Sequence, residues 1–458
     1  MKRPRRPQLT PPQIVLLAFL SAIAVGTVLL ALPISHAPGV RLDWLEALFT
    51  ATSAVCVTGL IVVDTGSDLS RFGQAVVLLL IKSGGLGILS VGALIAFTTG
   101  RRLGVVARLG LQAQTNRLQL GGVVRFVRNL LIFTTSAELL GALALWPAMA
   151  RDAGRAEGAW LALFHAISAW NNAGFSLFSD SLMRFASDPW VAVIVPLLFV
   201  SGGLGLVVFV DVASAARARW IRRGMLGAGQ ARVPWTLHTR MALVATGILV
   251  LVGAGGIAAL EWSNPATLGA LDPAARPMAA AFQGLTPRTA GFHVLEPADL
   301  TPASQVLTMA LMFIGANPSS TAGGVKTTTV AVLLLAAWAA VRGRGSTIAF
   351  GRSISGPLLA RAAAVVTLAL AVVTLAIFGL AISEAGVPLP VLAFEAFSAF
   401  GTVGLSMGVT PDLTAAGRLV VVGLMLLGRV GLLTVGLALA AAPPERPLRY
   451  PNEDVIIG

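Results

Sequence analysis

Apolar and polar positions alternate along this chain in a slow rhythm that repeats four times. Long apolar runs cover 14–33, 123–149, 240–260 and 358–383. Each is followed by a shorter apolar stretch of about 10–13 residues, too short to cross a ~30 Å hydrocarbon core. A second long run then follows, at 74–98, 190–213, 303–335 and 416–441. The pattern predicts eight spanning helices and four short helices that enter and leave the membrane on one side.

Each short stretch ends in a glycine followed by a large apolar residue. The four segments are Thr52-Ser-Ala-Val-Cys-Val-Thr-Gly59-Leu60, Ile167-Ser-Ala-Trp-Asn-Asn-Ala-Gly174-Phe175, Gly284-Leu-Thr-Pro-Arg-Thr-Ala-Gly291-Phe292 and Phe397-Ser-Ala-Phe-Gly-Thr-Val-Gly404-Leu405. The glycines stand 115, 117 and 113 residues apart. Three copies carry Ser-Ala six and five residues before the glycine, and Phe ten before it (Phe49, Phe164, Phe394). Internal repetition at a fixed period marks one structural unit used several times. The units are 1–100, 101–216, 217–341 and 342–458, the third with a loop inside its second span and the fourth with a C-terminal tail. The fold class is therefore an all-α membrane protein of four tandem helix–pore-loop–helix repeats around one pseudo-fourfold axis.

Composition agrees. The 458 residues are 56% hydrophobic and 12% charged, against about a quarter charged in an ordinary soluble domain. Mean hydropathy is +0.83. The net charge of +13 is read as a topology signal and not as affinity for nucleic acid, because the basic residues cluster between the apolar runs. Lys2, Arg3, Arg5 and Arg6 precede the first run. Arg101, Arg102, Arg108, Arg117, Arg125 and Arg128 lie between repeats one and two. Arg217, Arg219, Arg222, Arg223, Arg232 and Arg240 lie between two and three, and Arg342, Arg344, Arg352 and Arg361 between three and four. Arg446 and Arg449 close the chain. Far fewer lie in the intervening segments, such as Arg41, Arg71, Arg151, Arg155, Arg184 and Arg418. The positive-inside rule puts both termini in the cytoplasm and all four glycine motifs outside it. The basic start and the run Ile14–Pro33 are read as the first span, not a signal peptide, since that run completes the first repeat. The single cysteine, Cys56, permits no internal disulfide.

Irregular backbone at membrane depth is tolerated where it is buried in protein or lines a wet path. Four such loops around one axis would offer carbonyl oxygens in place of a cation's water shell. Glycine reaches positive φ without a Cβ clash and lets carbonyls aim inward. A short helix ending before each loop turns its partial negative end toward the axis. The candidate filter residues are Val55, Cys56, Val57, Thr58 and Gly59; Asn171, Asn172, Ala173 and Gly174; Arg288, Thr289, Ala290 and Gly291; and Gly401, Thr402, Val403 and Gly404. No carboxylate lies between short helix and glycine, which points to a monovalent cation rather than calcium. Arg288 is expected to turn behind its loop, since an axial cation would repel the ion.

The third repeat departs from the rest. Its second run is interrupted by Gly315, Ala316, Asn317, Pro318, Ser319, Ser320, Thr321, Ala322, Gly323 and Gly324, residues that break a helix in mid-membrane. The segment is not a P-loop, because Val325 separates Gly324 from Lys326 and no strand precedes it. A plain kink between packed helices is the alternative reading. Arg429, deep in the last run, needs a partner or a wet cavity, an insertion cost of ~2.5–3.5 kcal/mol otherwise standing against it. Lys326 is read near the inner end of its run, either holding the interruption or snorkelling to the interface. Lys82 and Glu138 are read as packing partners. His165 and His293 flank filter loops without a second ligand, so no zinc site is expected.

These residues resemble the Trk/Ktr/HKT superfamily of potassium transporters, most closely the KtrB-type subunit. The likeness extends over nearly the whole chain. It includes the four glycine motifs, Gly315–Thr327, the paired Ser-Gly-Gly-Leu-Gly at 83–87 and 201–205, Gly428-Arg-Val-Gly-Leu, and the tail from Arg449. The absence of two further N-terminal spans that TrkH-type members carry favours the KtrB type. The resemblance implies channel-like uptake of K+, with Gly59 at the first filter position favouring K+ over Na+, and with Na+ as an activator. It implies Gly315–Gly324, Lys326 and Arg429 as the gate below the filter, with Arg429 an electrostatic barrier. It further implies a homodimer with one pore per subunit in a bacterial inner membrane, gated by a cytoplasmic octameric ring of nucleotide-binding RCK subunits of the KtrA type. No dinucleotide fold is present in this sequence, so nucleotide binding falls to that separate chain. A cation-coupled symporter working by alternating access is the competing function; parallel repeats with all loops on one side favour a pore. No convergent nucleophile, base or metal cluster supports an enzyme.

Overall fold

The computed structural model describes residues 9–87, 123–223 and 235–439. The basic clusters at 2–6, 101–117 and 446–449, and the ends of the runs 74–98 and 416–441, lie outside the described residues. Fifteen α-helices and one small hairpin make up the described part. In chain order the helices are α1 (Pro11–Ala31), α2 (Trp44–Cys56), α3 (Arg71–Leu86), α4 (Val123–Ala153), α5 (Arg155–Trp170), α6 (Pro189–Leu204), α7 (Leu206–Arg223) and α8 (Leu237–Glu261). They continue as α9 (Arg276–Leu285), α10 (Pro302–Phe313), α11 (Thr327–Val341), α12 (Gly356–Ser383), α13 (Leu389–Gly401), α14 (Ala415–Val430) and α15 (Leu432–Leu439). Strands β1 (Ile348–Ala349) and β2 (Arg352–Ser353) pair antiparallel between α11 and α12.

Helix starts follow the capping chemistry of the sequence. Asp43 and Glu46 form a reciprocal capping box at α2, with Glu46 N donating to Asp43 Oδ1 at 2.6 Å and Asp43 N to Glu46 Oε2 at 2.9 Å. The helices that follow the glycine motifs are each opened by a side-chain oxygen. Ser70 accepts from Gly73 N, Asp188 from Trp190 N, Thr301 from Ser304 N and Thr414 from Gly417 N. These caps satisfy amide donors that the first helical turn leaves free.

Four single helices are long and apolar enough to cross a bilayer: Pro11–Ala31, Arg128–Arg151, Leu237–Glu261 and Gly356–Ser383. They match the first run of each repeat. The second runs of repeats two and four depart from the expectation of single spanning helices. Between α6 and α7 the chain bends by 89°, and between α14 and α15 by 95°. The bends fall at Gly205 (φ 82°) and Gly431 (φ 89°), and α3 ends at Gly87 (φ 80°). A helix cannot continue through a residue in that region. The run 303–335 is likewise two helices, α10 and α11, separated by 314–326.

Two apolar clusters hold the bundle. The larger joins α1, α2 and α3 to α12, α13 and α14 through Phe49, Leu80, Val373, Leu392 and Leu424. The second joins α4, α5 and α6 to α8 and α9 through Leu145, Phe164's neighbour Leu161, Val195, Ile257 and Phe282. The first and last quarters of the chain therefore pack together, as do the two middle quarters. Phe49, Phe164, Phe282 and Phe394, one on each short helix, are at most 1% exposed and anchor those helices in the core.

Candidate functional site

The short helices α2, α5, α9 and α13 all end in the same backbone turn. Two residues before each motif glycine the chain enters the left-handed region: Val57 (φ 58°), Asn172 (φ 58°), Thr289 (φ 71°) and Thr402 (φ 52°). The glycines follow at φ 91° (Gly59), 70° (Gly174), 78° (Gly291) and 93° (Gly404). The N–H before each glycine returns to the short helix. Thr58 N donates to Ser53 O, Ala173 N to Ser168 O, Ala290 N to Thr286 O and Val403 N to Ser398 O, at 2.8–2.9 Å. Asn tolerates the left-handed region, but the β-branched Val57, Thr289 and Thr402 are strained there, so these bonds and complete burial must hold them. Val57, Asn172, Thr289 and Thr402 are at most 1% exposed.

A hydroxyl on each short helix adds a second tie. Gly59 N donates to Ser53 Oγ at 3.0 Å and Gly404 N to Ser398 Oγ at 3.1 Å. Ser168 Oγ donates to Phe175 O at 2.8 Å and Thr286 Oγ1 to Phe292 O at 2.5 Å. The Ser-Ala repetition thus has a structural meaning, and Thr286 supplies in the third copy what Ser supplies in the others.

The four turns meet one another. A methyl added to Gly59 would lie 2.4 Å from Ala173 O; on Gly174, 3.1 Å from Ala290 O; on Gly291, 2.4 Å from Val403 O; and on Gly404, 2.2 Å from Thr58 O. The carbonyl preceding each glycine is therefore seated beside the glycine of the neighbouring turn. Taken in order, 59, 174, 291 and 404 close on themselves. Every glycine is needed twice, for its positive φ and for the space its neighbour's carbonyl fills.

Glycines on the following helices, outside the candidate set read from the sequence, bring the turns to this position. A methyl on Gly84 would meet Val55 O at 1.9 Å, on Gly202 Trp170 O at 1.9 Å, and on Gly428 Phe400 O at 1.9 Å. The contacted carbonyl stands four residues before the motif glycine each time. The Ser-Gly-Gly-Leu-Gly pair and Gly428-Arg-Val-Gly were the visible signal: one glycine admits the short helix's end, and another, three residues on, ends the helix at Gly87 and makes the bend at Gly205 and Gly431.

The interruption 315–326 packs against two of the turns. Thr321 Oγ1 donates to Asn172 Oδ1 at 2.8 Å, and Gly323 N to Thr402 Oγ1 at 3.1 Å. Asn317 N reaches Gly203 O at 3.1 Å and Gly324 N reaches Gly428 O at 3.2 Å. The segment is tied on both flanks, with Ile314 and Val325 bridged in parallel and Thr327 Oγ1 donating to Gly315 O at 2.8 Å. It borders a cavity of about 480 Å³ whose walls include Gly84, Gly202, Ser320, Ala322, Lys326 and Arg429.

Arg429 donates through its two terminal guanidinium nitrogens, Nη1 to Thr321 O and Nη2 to Gly84 O. Its partners are carbonyls, and no carboxylate pairs with it among the described residues. Lys326 corrects its expected place at the inner end of a run. It precedes α11 as its N-cap residue, and its Nζ donates to Ala322 O at 2.6 Å. Arg288 turns its guanidinium back toward Thr327 Oγ1 at 3.4 Å, in a small space shared with Phe199, Gly203 and Thr246. Lys82 and Glu138 form an ion pair, and the other Glu138 oxygen accepts from Asn171 Nδ2 at 2.8 Å. That pair therefore braces the second turn as well as packing. Among the described residues no group of three His, Cys, Asp or Glu side chains stands together as metal ligands would.

Long apolar helices, together with short helices whose turned ends meet one another, define a class: a helical membrane protein. The chain belongs to the TrkH family of cation transport proteins, whose pattern matches residues 13–448, and within the Trk/Ktr superfamily it is of the KtrB type. It is 42% identical over 449 residues to Ktr system potassium uptake protein B of Bacillus subtilis (strain 168), covering 98% of this chain and 97% of that protein. It is 36% identical over 464 residues to potassium/sodium uptake protein NtpJ of Enterococcus hirae, covering 100% and 99%. The crystal structure of the potassium transporter TrkH from Vibrio parahaemolyticus shares its fold, with a TM-score of 0.72 at 19% identity over 96% of this chain and 87% of that one. The protein is accordingly a multi-pass membrane transporter, and the family is not one of enzymes.

Proposed function

We propose that this protein carries K+ across the membrane through the space enclosed by its four glycine turns. The observation that carries the reading is the succession of carbonyls, each beside the next turn's glycine, which would present oxygens to a dehydrated ion from four sides. The potassium named in the relatives' descriptions agrees with it. The turns 55–59, 171–174, 288–291 and 401–404 form the filter, with the side chain of Arg288 behind its turn. The absence of a carboxylate from the four turns suits a monovalent ion.

The segment Gly315–Gly324, with Lys326 and Arg429, is the gate. Its bonds to Asn172 and Thr402 tie it to two filter turns, and Arg429 bolts it to Gly84 of the first repeat. The positive charges of Lys326 and Arg429 beside the cavity would oppose a cation leaving the filter while the bolt holds. A homodimer with one such path per subunit, opened by a cytoplasmic RCK ring that binds the nucleotide, completes the proposal, with Na+ as an activator. Alternating access has no specific observation in its favour.

The test is rescue of a potassium-uptake-deficient bacterium on low-potassium medium, with and without a ring subunit. Growth that depends on this chain and increases with the ring is the expected result. No rescue by a chain present in the membrane at normal level contradicts the proposal.

A further inference from the structure

Each short helix carries a polar residue immediately after its buried phenylalanine: Thr50, His165, Gln283 and Glu395. All four are at most 1% exposed. Such groups are costly to bury unless they are hydrogen-bonded, and three of them bond to the limb of chain that leaves the glycine turn. Gln283 Oε1 accepts from Val294 N at 3.2 Å and Leu295 N at 3.3 Å. His165 Nδ1 lies 2.7 Å from Leu161 O and donates to it, which leaves Nε2 at 3.0 Å to accept from Ser176 Oγ. Glu395 accepts from Ser406 Oγ at 2.8 Å and from Thr410 Oγ1 at 2.5 Å. Thr50 Oγ1 is buried and has no hydrogen-bond partner among the described residues.

The second and fourth repeats share a finer arrangement. Ser176 and Ser406 each stand two residues after the motif glycine. Each hydroxyl accepts the N–H two residues on, Phe178 N at 3.0 Å and Gly408 N at 3.1 Å, while facing the side chain on the short helix. The first and third repeats have Ile61 and His293 there instead. In the closed order of turns, Gly174 and Gly404 are not neighbours but opposite members. Two opposite turns are thus held from behind by a polar side chain acting through a serine.

We propose that His165 and Glu395 are positioning residues for ion selection, fixing the outgoing limbs of opposite filter turns through Ser176 and Ser406. This rests on the filter reading above. A carbonyl ring discriminates between ions by holding its oxygens in place or at a given field strength, so the ties behind the ring belong to selectivity and not only to packing. Loss of one such tie is expected to raise the Na+-to-Rb+ flux ratio about fivefold, the factor set by one ordinary hydrogen bond.

The experiment compares Rb+ and Na+ flux in proteoliposomes of the full-length protein for wild type, Glu395→Ala, Glu395→Gln, Ser406→Ala and Ser176→Ala. Glu395→Ala and Ser406→Ala should raise the ratio alike, and their double variant should raise it no further, as partners in one contact do. Glu395→Gln keeps an acceptor and should restore the wild-type ratio. Should Glu395→Ala fail to fold, the serine variants, each deleting one oxygen, carry the test. Reduced yield of folded protein with an unchanged ratio in the serine variants would overturn the inference, leaving these residues as packing. A wild type that does not discriminate Rb+ from Na+ would instead count against the filter itself.

Discussion

At the residue scale, glycine does three separate jobs in this protein. Gly59, Gly174, Gly291 and Gly404 supply positive φ and make room for a neighbour's carbonyl. Gly84, Gly202 and Gly428 let a helix touch the end of a short helix at a distance no side chain permits. Gly205 and Gly431 turn the chain by about a right angle. The motif glycines were legible from their spacing, since four similar breaks at near-equal intervals are hard to produce by accident. The second group was marked only by the recurring Gly-x-x-Gly, because a glycine within an apolar run looks the same whether it packs closely or merely interrupts. Substitution at this second group tests the distinction. Gly202→Ala places a methyl 1.9 Å from Trp170 O, a backbone atom that cannot swing away. Overpacking of this kind costs ~1–3 kcal/mol. Purified Gly202→Ala protein should melt at lower temperature in detergent and discriminate less between Rb+ and Na+, whereas Gly247→Ala, with open space around its Cβ position, should match wild type in both.

Among the elements, the third repeat's interruption differs from the bends in repeats two and four by length and by what it touches. The sequence marked it through Pro318 and the cluster of glycines and small polar residues. It did not give the partners, because contacts between 321 and 172, or 323 and 402, join positions far apart in the chain. Arg429 was legible as a charge in need of company. The company is two carbonyls rather than a carboxylate, which no pattern of residue types distinguishes. If this bolt keeps the path closed, Arg429→Ala should raise basal Rb+ flux about tenfold, a change equal to about 1.4 kcal/mol and within the range of a charge-assisted hydrogen bond. Deleting 315–324 should raise it further. Both are checked by Rb+ efflux from loaded proteoliposomes without any ring subunit. Unaltered flux in properly folded Arg429→Ala protein would remove the residue from the gate.

On the scale of the whole molecule, four copies of one unit close around a centre that none of them forms alone. The hydropathy rhythm marked the four long single helices. It overstated the second spans, because hydropathy averages over a bend: 190–213 is strongly apolar on average although the chain turns 89° within it. The spacing of the glycines likewise says nothing about whether the turns face one another, since a solenoid with the same period would keep them apart. The buried phenylalanines anchor each short helix, and the close glycine contacts then bring the turns together. The account's central claim is that this closed ring of turns selects a dehydrated monovalent cation, and its first member has no slack for a side chain. The most direct measurement is the Na+-to-Rb+ flux ratio of purified protein in proteoliposomes, for wild type and Gly59→Ser. Strong preference for Rb+ in wild type and its collapse in Gly59→Ser, with folded yield retained, is the predicted result; an equal ratio in the two proteins would contradict it.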